Sequence, residues 1–219
     1  MLIGIIIGTY SKTPLDIQNI TSYQLNLLSN NSIKDFVKKI DNINLYAVIN
    51  CAGIVEYEGK NIEKDIEIWN RTIQINLSSN FVLAKYLQSK IGENGKFIMI
   101  SSTDAMYGGT ITASYAASKA GINSLTKSLS LLLKDKNISV NAIAPGWVNT
   151  RMITDTGEDF IRQVTGINPL KRIAEPKDIS NLISFLLKSE SSYINGQIIT
   201  VDGGYTNQDP TLLIEEETI

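Results

Sequence analysis

The sequence predicts an α/β chain folded on a doubly wound parallel sheet, and three observations carry that prediction. Short β-branched runs alternate with longer segments whose apolar residues recur at helical spacing. The short runs are largely apolar instead of alternating with polar residues, as strands covered by helices on both faces must be. Three of them stop at small or turn-forming residues, at Asn50-Cys51-Ala52-Gly53, Ser101-Ser102 and Pro145-Gly146. Ligands of such sheets bind just beyond the carboxyl ends of the strands.

Leu2–Ile7 reads as the first strand, followed by a polar loop through Pro14. Met1 to Gly8 has no basic leader and no small-residue cleavage site, so this run is a buried strand and not a signal peptide. A second short strand falls around Tyr23–Leu27. Ser32–Ile40 then places Ile33, Phe36, Val37 and Ile40 on one helical face, with Ser32 positioned to cap it. Leu45–Asn50 is a strand that runs into a turn at Gly53. Ile62 to Ile91 is a long helical stretch, divisible into two helices meeting near Asn76. Gly95 interrupts before the strand Lys96–Ser101. Ala113–Lys134 is a long helix, and Ile138–Ala144 a buried strand stopped by Pro145-Gly146. Arg151–Gly166 is polar and weakly periodic. Pro176 opens a helix through Lys188, in a first turn that tolerates proline. Gln197–Val201 is the last strand, closed by Asp202-Gly203-Gly204, which reads as a structural turn. The tail from Thr206 to Ile219 carries three consecutive glutamates and is expected to be loosely held. No repeat, linker or composition break divides the chain, so residues 1–219 are expected to form a single domain.

Composition narrows the chemistry. Histidine is absent and Cys51 is the single cysteine. That excludes His-based nucleophilic triads, His or Cys metal sites and internal disulfides, so no metal is expected. Acid–base work falls to Tyr, Lys, Ser, Asp or Glu. A net charge of −2 supplies no field for nucleic acid or anionic lipid. No stretch approaches the roughly 20 apolar residues of a membrane helix. The expectation is a cytoplasmic protein with a small-molecule partner.

Tyr115 and Lys119 stand at i and i+4 on one helix face. A tyrosine hydroxyl titrates near pH ~10, and a neighbouring cation favours its phenolate. The pair alone equally describes an exposed helix surface. Ser102 closes a strand upstream, and Asn76 sits mid-helix, where an amide is a mediocre helix former. Cys51 reads as a small buried residue, and Trp147 either borders the pocket or simply packs.

In this order and spacing the motifs resemble those of the short-chain dehydrogenase/reductase family, particularly its 3-oxoacyl-carrier-protein reductases and sugar or alcohol dehydrogenase-like members. The matching residues are Asn50-Cys51-Ala52-Gly53, Ile75-Asn76-Leu77, Ile100-Ser101-Ser102, Tyr115-x-x-x-Lys119, Pro145-Gly146-x-Val148-x-Thr150 and Val201-Asp202-Gly203-Gly204. They span most of the chain, from about Tyr23 to Tyr205. The resemblance implies a Rossmann-like fold, an NAD or NADP cofactor and a carbonyl or secondary alcohol substrate lying under Arg151–Gly166. It implies that Tyr115 exchanges a proton with the substrate oxygen, that Lys119 lowers the Tyr115 pKa and binds the nicotinamide ribose, and that Ser102 holds the substrate. Asn76 would anchor a water leading from Lys119. Val148 and Thr150 would touch the nicotinamide over the Pro145-Gly146 turn. Asn50, Ala52 and Gly53 would line the adenosine side, and Asn26 stands where the family has an Asp near the adenine. The long helices resemble those through which family members form homodimers and homotetramers.

One family feature is missing. The first strand and the Gly-rich turn that opens a helix at the pyrophosphate have no counterpart, since Ile5-Ile6-Ile7 separates Gly4 from Gly8 and no second glycine pair follows. Matching Leu2–Ile7 to the family's second strand and Tyr23–Leu27 to its third leaves the chain short of the first βα unit. Either the natural start lies upstream, or Leu2–Ile7 serves as the central strand and cofactor binding is impaired. The second case describes a non-catalytic binding or oligomer-forming protein. The region after that strand offers Thr9, Ser11 and Lys12 and no acid before Asp16, which leans toward NADP.

Overall fold

The computed structural model describes residues 4–14, 16–154 and 156–208. Within them every strand pairing is parallel, and helices cover both faces, as the sequence predicts. Strands β1 (Ile6–Tyr10) and β2 (Ile20–Gln24) pair with each other. Strands β3 (Leu45–Asn50), β4 (Ile91–Ile100), β5 (Ser139–Pro145) and β6 (Ile198–Val201) form a second sheet in that order. Among the described residues β1 does not pair with β3. The alternative in which the first run serves as the central strand, hydrogen-bonded to β3, is therefore not the one adopted.

Seven α-helices lie among the described residues: α1 (Asn30–Lys39), α2 (Ile62–Ile73), α3 (Ser79–Leu87), α4 (Ala113–Leu132), α5 (Arg151–Thr154), α6 (Glu158–Ile167) and α7 (Pro176–Leu186). On β4 the side chains alternate between two cores. Phe97 and Met99 join Ile33, Phe36 and Ile40 of the α1 segment, Leu83 and Leu87 of α3, and Ile122 and Leu129 of α4. Ile98 faces the other way, with Ile143 of β5 and Ile179 and Leu186 of α7. The period-two pleat of one strand thus serves both layers. Ile7 of β1 and Tyr23 of β2 pack on the first core, but Ile5 and Ile6 are exposed, so the first strand is not the buried one the sequence predicts.

Several boundaries differ from the sequence reading. The first two strands lie later and earlier, respectively, than expected, and Leu2 falls outside the described residues. Ser29, not Ser32, caps α1: its side chain accepts from the Ser32 N–H at 3.2 Å. Ser32 instead uses its hydroxyl to accept from the Asn26 N–H at 3.0 Å. Gly95 does not break the pattern but sits inside β4, where Asn94 at φ 59° and a shift in register to β3 mark a bulge. A Cβ on Gly95 would lie 2.9 Å from the Gly92 carbonyl oxygen, so the bulge requires glycine. The polar, weakly periodic segment from Arg151 contains two helices, Arg151–Thr154 and Glu158–Ile167. Asp202 closes the final turn by accepting from the Gly204 and Thr206 N–H groups and the Thr206 hydroxyl, a structural part as expected. Of the expected loose tail, Thr206 is held by these bonds, while residues 209–219 lie outside the described residues. No described helix is long and apolar enough to cross a membrane.

Candidate active site

The site forms where β3, β4 and β5 end and α4 begins. Glu58 anchors the start of α4 by accepting from the Ala113 and Ser114 N–H groups at 2.9 and 2.8 Å. A carboxylate there complements the positive end of the helix. Within its first two turns α4 presents Tyr115 and Lys119 to the ends of the strands.

Asn76 explains its own place in the sequence. The long helical stretch is interrupted by a π-helical segment, Gln74–Ser78, with Asn76 fully buried inside it. Such bulges recur at functional sites because they displace one residue from the regular ladder. The Asn76 side chain accepts from the Ile54 N–H at 2.8 Å and donates to the Ile54 carbonyl at 2.9 Å and the Ser118 hydroxyl at 3.1 Å. It thereby ties the loop after β3 to α4. Gly53 lies beneath: a Cβ there would stand 3.4 Å from Lys119 Nζ and 3.5 Å from Asn76 Oδ1. A larger residue would press on the amine.

Lys119 is almost wholly buried, and its amine donates to the Ile100 carbonyl at 2.8 Å. It also lies 5.4 Å above the centre of the Tyr115 ring. Burial pulls the Lys119 pKa down to about 8. Burial likewise pushes the Tyr115 hydroxyl up to about 12, against a hydrogen bond with Ser102 that lowers it and a contribution from Asp104 that raises it further. The resemblance implied a lowered Tyr115 pKa; here the direction is the reverse. A buried phenolate loses its hydration, and Lys119 bonds the Ile100 carbonyl and lies over the ring. The raised pKa leaves the Tyr115 hydroxyl protonated near neutrality.

These groups open into one cavity of ≈ 630 Å³. Its floor is Ser102, Tyr115, Lys119 and the Pro145-Gly146 turn, with Val148 and Thr150 along one side. Gly146 is required by contact, since a Cβ would meet Asp202 Cβ at 2.8 Å. The roof comes from Met152, Ile153, Thr156 and Phe160, placing the Arg151–Gly166 segment over the pocket. Trp147 both borders the cavity and packs, meeting Phe160 edge-on at 4.9 Å. Cys51 also lines it and is exposed there, not buried as the sequence suggests; partial loss of hydration raises its thiol pKa against the opposing charge of Lys119.

Three expected cofactor residues are not brought to this cavity. Asn50 is buried, donating to Asn80 at 2.8 Å and accepting from the Ala52 N–H at 3.1 Å, so it shapes the turn. Ala52 is exposed and outside the cavity lining. Asn26 spends its side chain on a local turn, accepting from the Leu28 N–H at 3.0 Å. Asp104 was not foreseen, yet it lines the cavity. Its signal is visible in hindsight: it is the one acid between Ser102 and Tyr115.

Comparison with known proteins agrees with this geometry. Residues 13–206 match a family model described as enoyl-(acyl carrier protein) reductase. The chain is 33% identical over 190 residues to a 3-oxoacyl-[acyl-carrier-protein] reductase of Thermotoga maritima, covering 83% of this chain and 75% of that protein. It is 32% identical over 210 residues to an uncharacterized oxidoreductase of Bacillus subtilis, covering 90% and 77%. Among solved structures, a short chain dehydrogenase family protein of Francisella tularensis superposes with TM-score 0.84 at 27% identity, over 92% of this chain and 88% of the other.

Proposed function

This chain belongs to the short-chain dehydrogenase/reductase family, and we propose that it interconverts a carbonyl and a secondary alcohol with Tyr115 exchanging the proton. As a member it is an NAD(P)-dependent oxidoreductase. The observation that carries the reading is the meeting of the Ser102 and Tyr115 hydroxyls with the buried Lys119 amine in one largely apolar cavity.

The residues present fit the nicotinamide half of such a cofactor. Gly53 leaves the space over Lys119 and Asn76 open, and Gly146 lets the turn pass close to Asp202. Lys119 would hold the ribose, with Val148 and Thr150 against the nicotinamide. When bound, the nicotinamide supplies or accepts the hydride. The chain handles the proton. Ser102 Oγ accepts from the Asp104 N–H at 3.1 Å and shares a hydrogen bond with Tyr115, so its position is set from two sides. It orients the substrate oxygen, and Tyr115 donates to that oxygen as negative charge develops there. Lys119 keeps a positive charge beside the reacting groups below pH ~8 and so stabilises that change. The apolar roof excludes water.

Cofactor choice follows from the loop after β1, where Lys12 is exposed and the first acid is Asp16, which favours NADP. Exposed apolar side chains on α2 (Ile62, Ile66, Trp69), on α3 (Phe81) and on α4 (Leu131, Leu132) support a homodimer or homotetramer. A second reading, a non-catalytic binding protein, is favoured by one observation: among the described residues no strand runs through a Gly-rich turn into a helix that could hold a pyrophosphate. Two measurements separate them. Tyr115→Phe should lose about 10²–10⁴-fold in turnover with NADPH affinity retained. Unchanged turnover sinks the role of Tyr115. Failure of the wild-type chain to bind either NADH or NADPH favours the second reading.

A further inference from the structure

We propose that Asp104 selects the substrate by accepting a hydrogen bond from a hydroxyl on the carbon beside the reacting carbinol, so that the site takes neutral polyols or hydroxyketones and rejects carboxylates. The inference rests on the reading of the same cavity given above, and adds the class of molecule that fills it.

Asp104 and Lys119 are the two charged side chains in the cavity lining. The other walls are mainly apolar, with Val55, Ile111 and Met152 among them. Asp104 follows Ser102 by two residues, and its N–H is bound to the Ser102 hydroxyl at 3.1 Å. That bond sets the Asp104 backbone beside the hydroxyl that would hold the substrate oxygen, and the residue lines the same cavity. It is partly buried, and among the described residues no group donates to it and no cation pairs with it directly. Burial raises its pKa, and the more distant charge of Lys119 opposes the rise. A partly desolvated carboxylate that lacks a donor in the protein gains most from a ligand hydroxyl that supplies one.

Charge then decides the class. With Asp104 and Lys119 both ionised the cavity is neutral. A neutral substrate preserves that balance while a hydroxyl donates to Asp104. A carboxylate substrate places a second negative charge beside Asp104, and an ammonium adds a second positive charge near Lys119. The hydroxyl-bearing neutral molecule is favoured on both counts.

The test uses three probes of one shape: phenyl glycol, the same molecule without its terminal hydroxyl, and mandelate, which carries a carboxylate at that place. Binding to the full chain is followed by isothermal titration calorimetry, and turnover is measured in parallel. A hydrogen bond to a charged acceptor predicts glycol binding about tenfold tighter than its deoxy analogue. Asp104→Ala should bring the two within about threefold of each other. Asp104→Asn, which keeps an acceptor but no charge, should retain part of the glycol preference and bind mandelate better than the wild type does. Circular dichroism confirms that each variant folds, and the Asn variant carries the test if the Ala variant does not. No glycol preference in the wild type, or the same preference in Asp104→Ala or undiminished rejection of mandelate in Asp104→Asn, overturns the proposal. Retained turnover in Tyr115→Phe overturns the oxidoreductase role of Tyr115 instead and leaves these binding preferences standing.

Discussion

Replacing Asn76 with Ala removes three hydrogen bonds at a position that is 0% exposed. The partners left behind are the Ile54 N–H, the Ile54 carbonyl and the Ser118 hydroxyl, at 2.8, 2.9 and 3.1 Å. The peptide groups of Ile54 make no other hydrogen bond among the described residues. At about 1 kcal/mol per bond the direct loss is about 3 kcal/mol. Shortening a fully buried side chain adds a further cost of about 1 kcal/mol for the vacated volume. For a chain of this length 1 kcal/mol moves the melting temperature by about 2–4 °C, so a fall on the order of 10 °C is expected. Thermal unfolding followed by circular dichroism reads it directly. Asn76→Asp sharpens the test, because a carboxylate still accepts from Ile54 N–H but cannot donate to its carbonyl when ionised. That variant should be destabilised at neutral pH and recover part of the loss on acidification. A fall below about 2 °C for Asn76→Ala would refute the claim that this side chain pins the loop to α4, because a pinning side chain cannot be removed without cost.

Two further outcomes follow from the same geometry. Lys119 titrates at about 8 in the folded chain against ~10.5 unfolded, so between these values the unfolded chain binds more protons and stability rises with pH. Tyr115, raised to about 12, acts oppositely above pH ~10: there the folded chain holds the proton and stability falls as pH rises. Melting curves across pH ~8–10 should therefore show a positive slope that flattens in Lys119→Met, and an equal slope in that variant would assign it to other groups. Gly146→Ala sets a Cβ 2.8 Å from Asp202 Cβ and 3.1 Å from its Cα. The neighbour is partly backbone and cannot swing aside, so a loss of about 1–3 kcal/mol in urea unfolding is expected; a neutral result would show that the turn relaxes freely.

How much of this was legible in the sequence depends on the range over which each signal acts. The order of elements and the parallel class were readable because apolar periodicity and strand-ending turns are local properties of the chain. Asn76, Ser102, Tyr115 and Lys119 were readable as candidates, because they stand at spacings that the family resemblance identifies. What those residues meet was not readable. Burial reversed the expected direction for Tyr115, because desolvation depends on the α4 face closing against β4 and not on the Lys119 spacing. Asn50 and Asn26 matched motifs, yet their side chains are taken up by Asn80 and by a local turn. The π-helical segment at Asn76 appears in no propensity, since it is selected by partners 22 and 42 residues away.

The sequence by itself therefore determined the fold class, the family and the candidate chemistry, because those reside in residue types and short spacings. The tertiary structure decided the pairing of β1 with β2 and not with β3, the roof over the cavity and the meeting of Asp104 with Lys119 in its lining. Each of these depends on surfaces brought together from distant parts of the chain, where packing and loss of hydration outweigh any local preference.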